Sequence, residues 1–150
     1  MRRKEREFAL KILFAQEFNE ASLENHKNSL NDNELKYETE FSLSIINFYE
    51  KHVQEADKTI IKHIKNWEYS RVAILDKIIL RIAYLELMFF PDIPPEASMN
   101  EAIELAKKFS TPKSGLFVNG VVDSIIKKQK NEIKDLKKGR GRVSKIINSE

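Results

Sequence analysis

Five residues in the last third of the chain, Lys113, Phe117, Gly120, Ser124 and Lys128, recur at helical spacing and at about 100° per residue fall on one side of a helix. Two cations, one aromatic ring and two small residues could neutralise phosphates and stack an unpaired base. The helix start beside Lys113 and Ser114 adds backbone N–H groups that suit an anion. Two readings of this face stay open. In one, Phe117 is core and Gly120 admits a neighbouring helix. In the other, Phe117 is a half-exposed stacking ring among cationic and small polar groups. A second cationic group, Arg2, Arg3, Lys4 and Arg6, opens the chain, and a third runs from Lys127 to Lys145. The net charge is only +3, so the placement of the cations carries the argument. Basic ends on a near-neutral body fit a polyanion footprint, or else solvated termini.

Other chemistries find no support. The three histidines, His26, His52 and His63, are scattered without an HExxH-like pair. There is no cysteine, hence no disulfide and no thiolate metal site. No glycine-rich phosphate loop and no Ser/His/Asp set is visible. No catalytic residue, metal or cofactor is expected. Glu86 falls on an apolar helix face, where a carboxylate must be hydrogen-bonded or paired; a structural role is expected of it.

The elements that carry these residues read as helices. Few glycines and prolines against many Leu, Ile, Lys and Glu favour helix over sheet. The fold class is all-α. Residues 3–18 form an amphipathic helix with a wide apolar arc, Phe8, Leu10, Ile12, Phe14 and Phe18. Residues 19–36 are polar, a loop with at most a helical turn, and His26 lies on its surface. Helices follow over 37–54 and from about 56 to 67, the second with Ile60, Ile61 and Ile64 inward and Trp67 plugging the junction between subdomains. Residues 71–89 make a central helix, apolar on two sides and flanked by Asp76, Lys77, Arg81 and Tyr84, which are candidate partner contacts. Pro94 and Pro95 stop what precedes them. Ser98 and Glu101 then have the spacing of a capping box, and Ala102, Leu105, Ala106 and Phe109 make the buried face. Thr111 caps the next helix and Pro112 takes its first position, with Val118, Val121, Val122 and Ile125 inward. These two helices form an αα-hairpin. Helix continues to about Lys134, and residues 136–150 read as a basic flexible tail. A chain of 150 residues suits one domain, 1–135, with helical subdomains of about 1–67 and 68–135. No run of eighteen apolar residues spans a membrane, and with no signal-peptide core the expected location is the cytoplasm.

Three blocks resemble one family. MNEAIELAKKFSTPKSGLFVNGVVDSI, ILDKIILRIAYLEL and RRKEREFALKILFAQEF are similar, in order and spacing, to the signature blocks of the NusB family of bacterial transcription antitermination factors, and together they span residues 2 to 126. The resemblance implies two small three-to-four-helix bundles set roughly perpendicular. It implies binding of boxA-type RNA together with the ribosomal protein NusE, with an indirect link to the RNA polymerase antitermination complex. For some members it also implies a homodimer in the absence of RNA. The resemblance supports Arg2, Arg3 and Arg6 as RNA contacts; Lys113, Ser114, Phe117 and Lys128 join them from the helix face described above, and Phe14, Asp76 and Lys77 are carried over as contacts to NusE. Lys113 departs from the acidic residue of some members; a cation there should raise RNA affinity and loosen sequence preference. The chain lacks the length and the glycine-rich motif of the methyltransferases that carry a similar front end. The alternative is a helical protein-interaction module or homodimeric adaptor without specific RNA binding.

Overall fold

The computed structural model describes residues 2–19, 22–65 and 68–138. Among these every regular element is a helix, and none is long and apolar enough to cross a membrane. Trp67 and residues 139–150, the greater part of the expected tail, lie outside the described residues. The chain divides into two compact units, residues 1–51 and 52–150.

The first unit is built on α1 (Arg2–Phe18). Phe8, Ala9, Leu10, Ile12 and Leu13 are buried, whereas Phe14 is half-buried and Phe18 exposed, with the two rings edge to face at 5.0 Å. The polar stretch after it is more ordered than its composition suggests. It forms α2 (Leu23–Lys27) and α3 (Asp32–Leu35). The Asn31-Asp32-Asn33 triplet is a helix start rather than a turn: the Asn31 side chain accepts the Glu34 N–H and the Glu34 carboxylate accepts the Asn31 N–H, a complete capping box. His26 is buried, not on the surface, its Nε2 3.0 Å from the Asn19 carbonyl oxygen. Thr39 starts α4 (Glu40–Lys62); its N–H donates to Ser42 Oγ, and its hydroxyl donates to Glu5 of α1.

Helix α4 is one helix where the sequence suggested two, because nothing between His52 and Asp57 caps or breaks it. Ile60 is buried as expected, but Ile61 is 51% exposed. In the second unit a short 3-10 turn (Tyr69–Arg71) leads into α5 (Ile74–Phe89), followed by α6 (Pro95–Phe109), α7 (Pro112–Lys128) and α8 (Lys130–Lys138). α5 is buried on all sides from Ile78 to Met88 and packs on α6, α7 and α8. Arg81 and Tyr84, read from sequence as partner contacts, are instead committed inward to α4. The Arg81 guanidinium makes a two-pronged ion pair with Asp57, at 2.7 and 3.0 Å, and the Tyr84 hydroxyl donates to Glu55 at 2.6 Å.

Ser98 is not the cap of α6. Pro94 and Pro95 already supply the start, since Pro at the first position loses no hydrogen bond. Ser98 therefore lies a turn inside the helix, buried, and donates to the Glu86 carboxylate at 3.0 Å. This gives Glu86 the structural partner its position demands. α7 begins as expected: Thr111 Oγ1 accepts the Ser114 N–H at 3.0 Å, and Val118, Val121, Val122 and Ile125 are buried. Helix does not run unbroken to Lys134. Gln129 interrupts it, and α8 then reaches Lys138, past the point where the tail was expected to begin. Ile133 anchors α8, and Lys137 donates to the carbonyls of Glu86 and Phe90 at 3.0 and 2.6 Å. A cation thus adds a second, charged donor to two carbonyls at the end of α5 that already accept the Phe90 and Ile93 N–H groups.

Burial pushes the Lys137 ammonium down to about 8, against the opposing pull of Glu86 and Asp92. Between that value and about 10.4, the ordinary lysine value, the unfolded chain holds a proton that the folded chain has released, so stability rises with pH across the window. Lys137→Met is expected to remove that rise relative to the parent protein. It is also expected to change stability at pH 7 by no more than about 1 kcal/mol, because the Glu86 and Phe90 carbonyls keep their backbone donors. Urea unfolding at a series of pH values checks both.

Candidate functional site

Where α5 and α7 begin, their first turns come together. The Ser114 hydroxyl, one turn into α7, donates to Asp76 Oδ2 at 2.9 Å, linking residues 38 apart in sequence. Ser110 Oγ is 2.9 Å from Ser114 Oγ. A hydroxyl has one proton to give; with that of Ser114 given to Asp76, Ser110 is the donor, and the order runs Ser110 to Ser114 to Asp76. Around this chain lies a cleft of about 360 Å³, lined by Arg71, Val72, Ala73, Asp76, Ser110, Thr111, Lys113, Ser114 and Phe117. Lys113 and Arg71 are exposed cations at its edge, and Phe117 is half-buried.

Lys113 and Phe117, grouped by spacing alone, therefore do line one cleft. Ser114 lines it as well, but it is buried and bound to Asp76. Asp76, assigned to a protein partner by resemblance, stands in this cleft with only 7% of its surface exposed. Lys77 points elsewhere, its Nζ 4.7 Å above the Tyr69 ring. Arg71 had no signal in the sequence, since it precedes α5 and shares no helical face with α7.

The rest of the α7 face continues away from the cleft, roughly 22 Å from Lys113 to Lys128 at 1.5 Å per residue. Gly120 is exposed on it, and a Cβ there would meet nothing within 4 Å. The glycine that admits a neighbouring helix is Gly115, where a Cβ would come within 3.1 Å of Lys107 Cγ on α6. At the far end, Ser124 Oγ lies 2.8 Å from His63 Nδ1. Partial burial, then Lys128, Lys62 and Lys65, hold the His63 imidazole below its usual range. Lys62 and Lys65 thus add to the cationic character around Lys128, from a segment not singled out by sequence.

The N-terminal arginines differ among themselves. Arg2 and Arg3 are exposed, whereas Arg6 is buried at 4%. The guanidinium groups of Arg2 and Arg6 lie over the Phe41 ring, 4.5 and 5.3 Å from its centroid, in cation–π geometry. The first unit also holds a larger groove, about 450 Å³, with Lys4, Glu7, Lys11, Glu34 and Lys36 among its walls. The Lys11–Glu34 ion pair at 2.6 Å ties two of those walls together, and Lys4 lies 3.7 Å from Glu7. Its charges are largely matched within the protein, which makes the smaller cleft of the second unit the better candidate. Among the described residues no cluster of His, Asp or Glu could hold a metal ion.

The NusB family profile matches residues 3–127. The transcription antitermination protein NusB of Chloroherpeton thalassium is 38% identical over 145 residues, covering 95% of this chain and 69% of that protein. The NusB of Clostridium novyi is 39% identical over 130 residues, covering 84% of this chain and 98% of that protein. Among solved structures, T. maritima NusB superposes with a TM-score of 0.74 at 34% identity, covering 85% of this chain and 91% of that one. A structure of antitermination factors NusB and NusE in complex with double-stranded RNA superposes with a TM-score of 0.68 at 26% identity, covering 84% and 96%.

Gly120 lies inside a helix with open space where a side chain would stand, so Gly120→Ala is expected to raise stability by about 0.5–1 kcal/mol. Urea unfolding of the two proteins checks this; an unchanged or lower midpoint would show that the position is packed.

Proposed function

The chain belongs to the NusB family, and from that premise we propose that it works by binding rather than by catalysis. It is a transcription antitermination factor that binds boxA-type RNA of nascent transcripts, notably those of ribosomal RNA operons, together with NusE, and couples them to RNA polymerase. The observation that carries the RNA surface is the cleft at the start of α7, where a half-buried aromatic ring stands beside exposed cations. Single strands are held by that combination: a base stacks on the ring and the backbone phosphates lie against Lys and Arg.

In this reading Phe117 is the stacking platform. Lys113, with Arg71, meets the adjoining phosphates, and Lys128 extends the cationic track along α7. Arg2 and Arg3 of the first unit are exposed and supply further phosphate contacts. Arg6, buried over Phe41, acts by holding the start of α1. Ser114 positions Asp76 and does not itself face RNA. For NusE, Phe14 in the first unit and Lys77 in the second are proposed as separate contacts. Phe18, 70% exposed beside Phe14, extends the apolar patch that a protein partner would cover. Asp76, buried against Ser114, goes with the cleft instead.

Gel-shift titration with boxA-like and scrambled RNA, with and without NusE, tests the assignment. Phe117→Ala is expected to weaken RNA binding by about 1–3 kcal/mol, the worth of one stacked base, with the thermal unfolding midpoint nearly unchanged. Loss of fold with unchanged affinity per folded molecule would place Phe117 in the core. Replacing Arg2 and Arg3 together by Ala is expected to flatten the plot of log affinity against log salt by roughly 0.7 for each phosphate left unneutralised. An unchanged slope would remove both from the RNA surface.

A further inference from the structure

The second carboxylate oxygen of Asp76 is unlike the other polar atoms around the cleft. Oδ2 accepts the Ser114 proton, but Oδ1 accepts none, although it is buried in a residue only 7% exposed. A buried acceptor on a charged group without a donor is costly, and native proteins keep one where something else completes it. The cleft that Asp76 lines offers that completion. It has an aromatic wall in Phe117 and exposed cations in Lys113 and Arg71.

Resting on the RNA-binding reading above, we infer that Asp76 is a specificity-determining residue of this cleft: Oδ1 accepts an N–H from an amino-bearing nucleobase (adenine, cytosine or guanine) stacked on Phe117, and the site rejects uracil. The chemistry follows from the bond already made. With Oδ2 held by Ser114, one oxygen remains for one donor, and the Ser110–Ser114 relay fixes the carboxylate's orientation. An exocyclic amino group supplies such a donor at the edge of the base, as in carboxylate recognition of cytosine N4. Uracil's N3–H lies between two carbonyl oxygens, and both would be pressed toward the carboxylate. Oδ1 is covered in the structure, so the base reaches it when side chains lining the cleft rotate, a fast motion at a surface.

The test is a position-by-position scan. Single-stranded boxA-like RNAs, each carrying uracil at one position in turn, are titrated against the full chain and against Asp76→Asn. At one position the parent protein is expected to bind about tenfold or more weakly, the range for discrimination against a wrong base. Asp76→Asn is expected to erase or reverse that preference at that position alone, with the salt dependence unchanged. The same weakening is expected from the parent protein when the amino group alone is deleted at that position, as in purine riboside for adenosine; this arm holds even where Asp76→Asn fails to fold. Equal binding of the analogue overturns the inference, as does an Asp76→Asn variant that weakens every RNA equally. It is also overturned if the variant weakens binding of NusE while leaving the RNA pattern intact, for Asp76 is then a protein contact. A parent protein that binds RNA without preference at any position sinks the inference alone; one that binds no RNA sinks the RNA reading with it.

Discussion

A helix buried on all sides gains by pairing each polar side chain it carries, because an unpaired polar group out of water costs as much as several apolar contacts return. α5 carries four such groups, Asp76, Arg81, Tyr84 and Glu86, which join it to α4, α6 and α7, Asp76 through one of its two oxygens. Asp76 accepts from Ser114 of α7, Arg81 is paired with Asp57, Tyr84 donates to Glu55, and Glu86 accepts from Ser98 of α6. The apolar surface of α5 supplies the gross driving force, but it is non-directional. The four polar links have geometry, so they choose among the ways in which α4, α6 and α7 could rest on the same greasy cylinder. A part-buried ion pair such as Arg81–Asp57 need not add much net stability; its two-pronged geometry restricts how α4 can lie against α5. The start of α7 is placed by one of these links, so the cleft is a consequence of how α5 was satisfied.

Much of this was legible in the sequence where the signal is local. Thr111-Pro112 marks a helix start whatever surrounds it, and the valines of α7 declare their face by spacing. The same local logic failed where two starts competed. Ser98 and Glu101 have capping-box spacing, but Pro94-Pro95 had already begun the helix. The serine was then available for a partner twelve residues upstream, which no local rule sees. Asn31, read as part of a turn, proved to be a cap because its partner Glu34 stands three residues on. α4 was divided at a polar stretch with neither proline nor glycine, where polarity marked only an exposed face.

The site was legible in part for the same reason. Lys113, Ser114 and Phe117 lie on one helix, and spacing alone groups them. Asp76 and Arg71 come from the far side of a loop-and-helix excursion; Asp76 stood out as a flank of the central helix's apolar faces and Arg71 did not, and no local rule places either beside α7. Glycine shows the limit most plainly. Both Gly115 and Gly120 sit inside α7, and sequence offers no way to tell which one another helix approaches; Lys107 settles it in favour of Gly115. Gly120 is then a helix-weakening residue with no packing reason inside this chain.

Affinity and selectivity have different sources in such a cleft. Lys113 and Arg71 attract any polyanion, and their contribution fades as salt rises. A cation at position 113 shifts the balance toward attraction. It would erode discrimination if discrimination were also electrostatic and long-ranged. A buried acceptor works differently. It sits beneath the exposed cations, acts only at hydrogen-bond distance, and penalises the wrong base by leaving charge unsatisfied. Its preference does not depend on how strongly the surface above it pulls on phosphate. A surface lysine at position 113 is therefore compatible with selectivity from below, provided the carboxylate stays buried and fixed. The serine relay between the first turns of α5 and α7 secures both conditions.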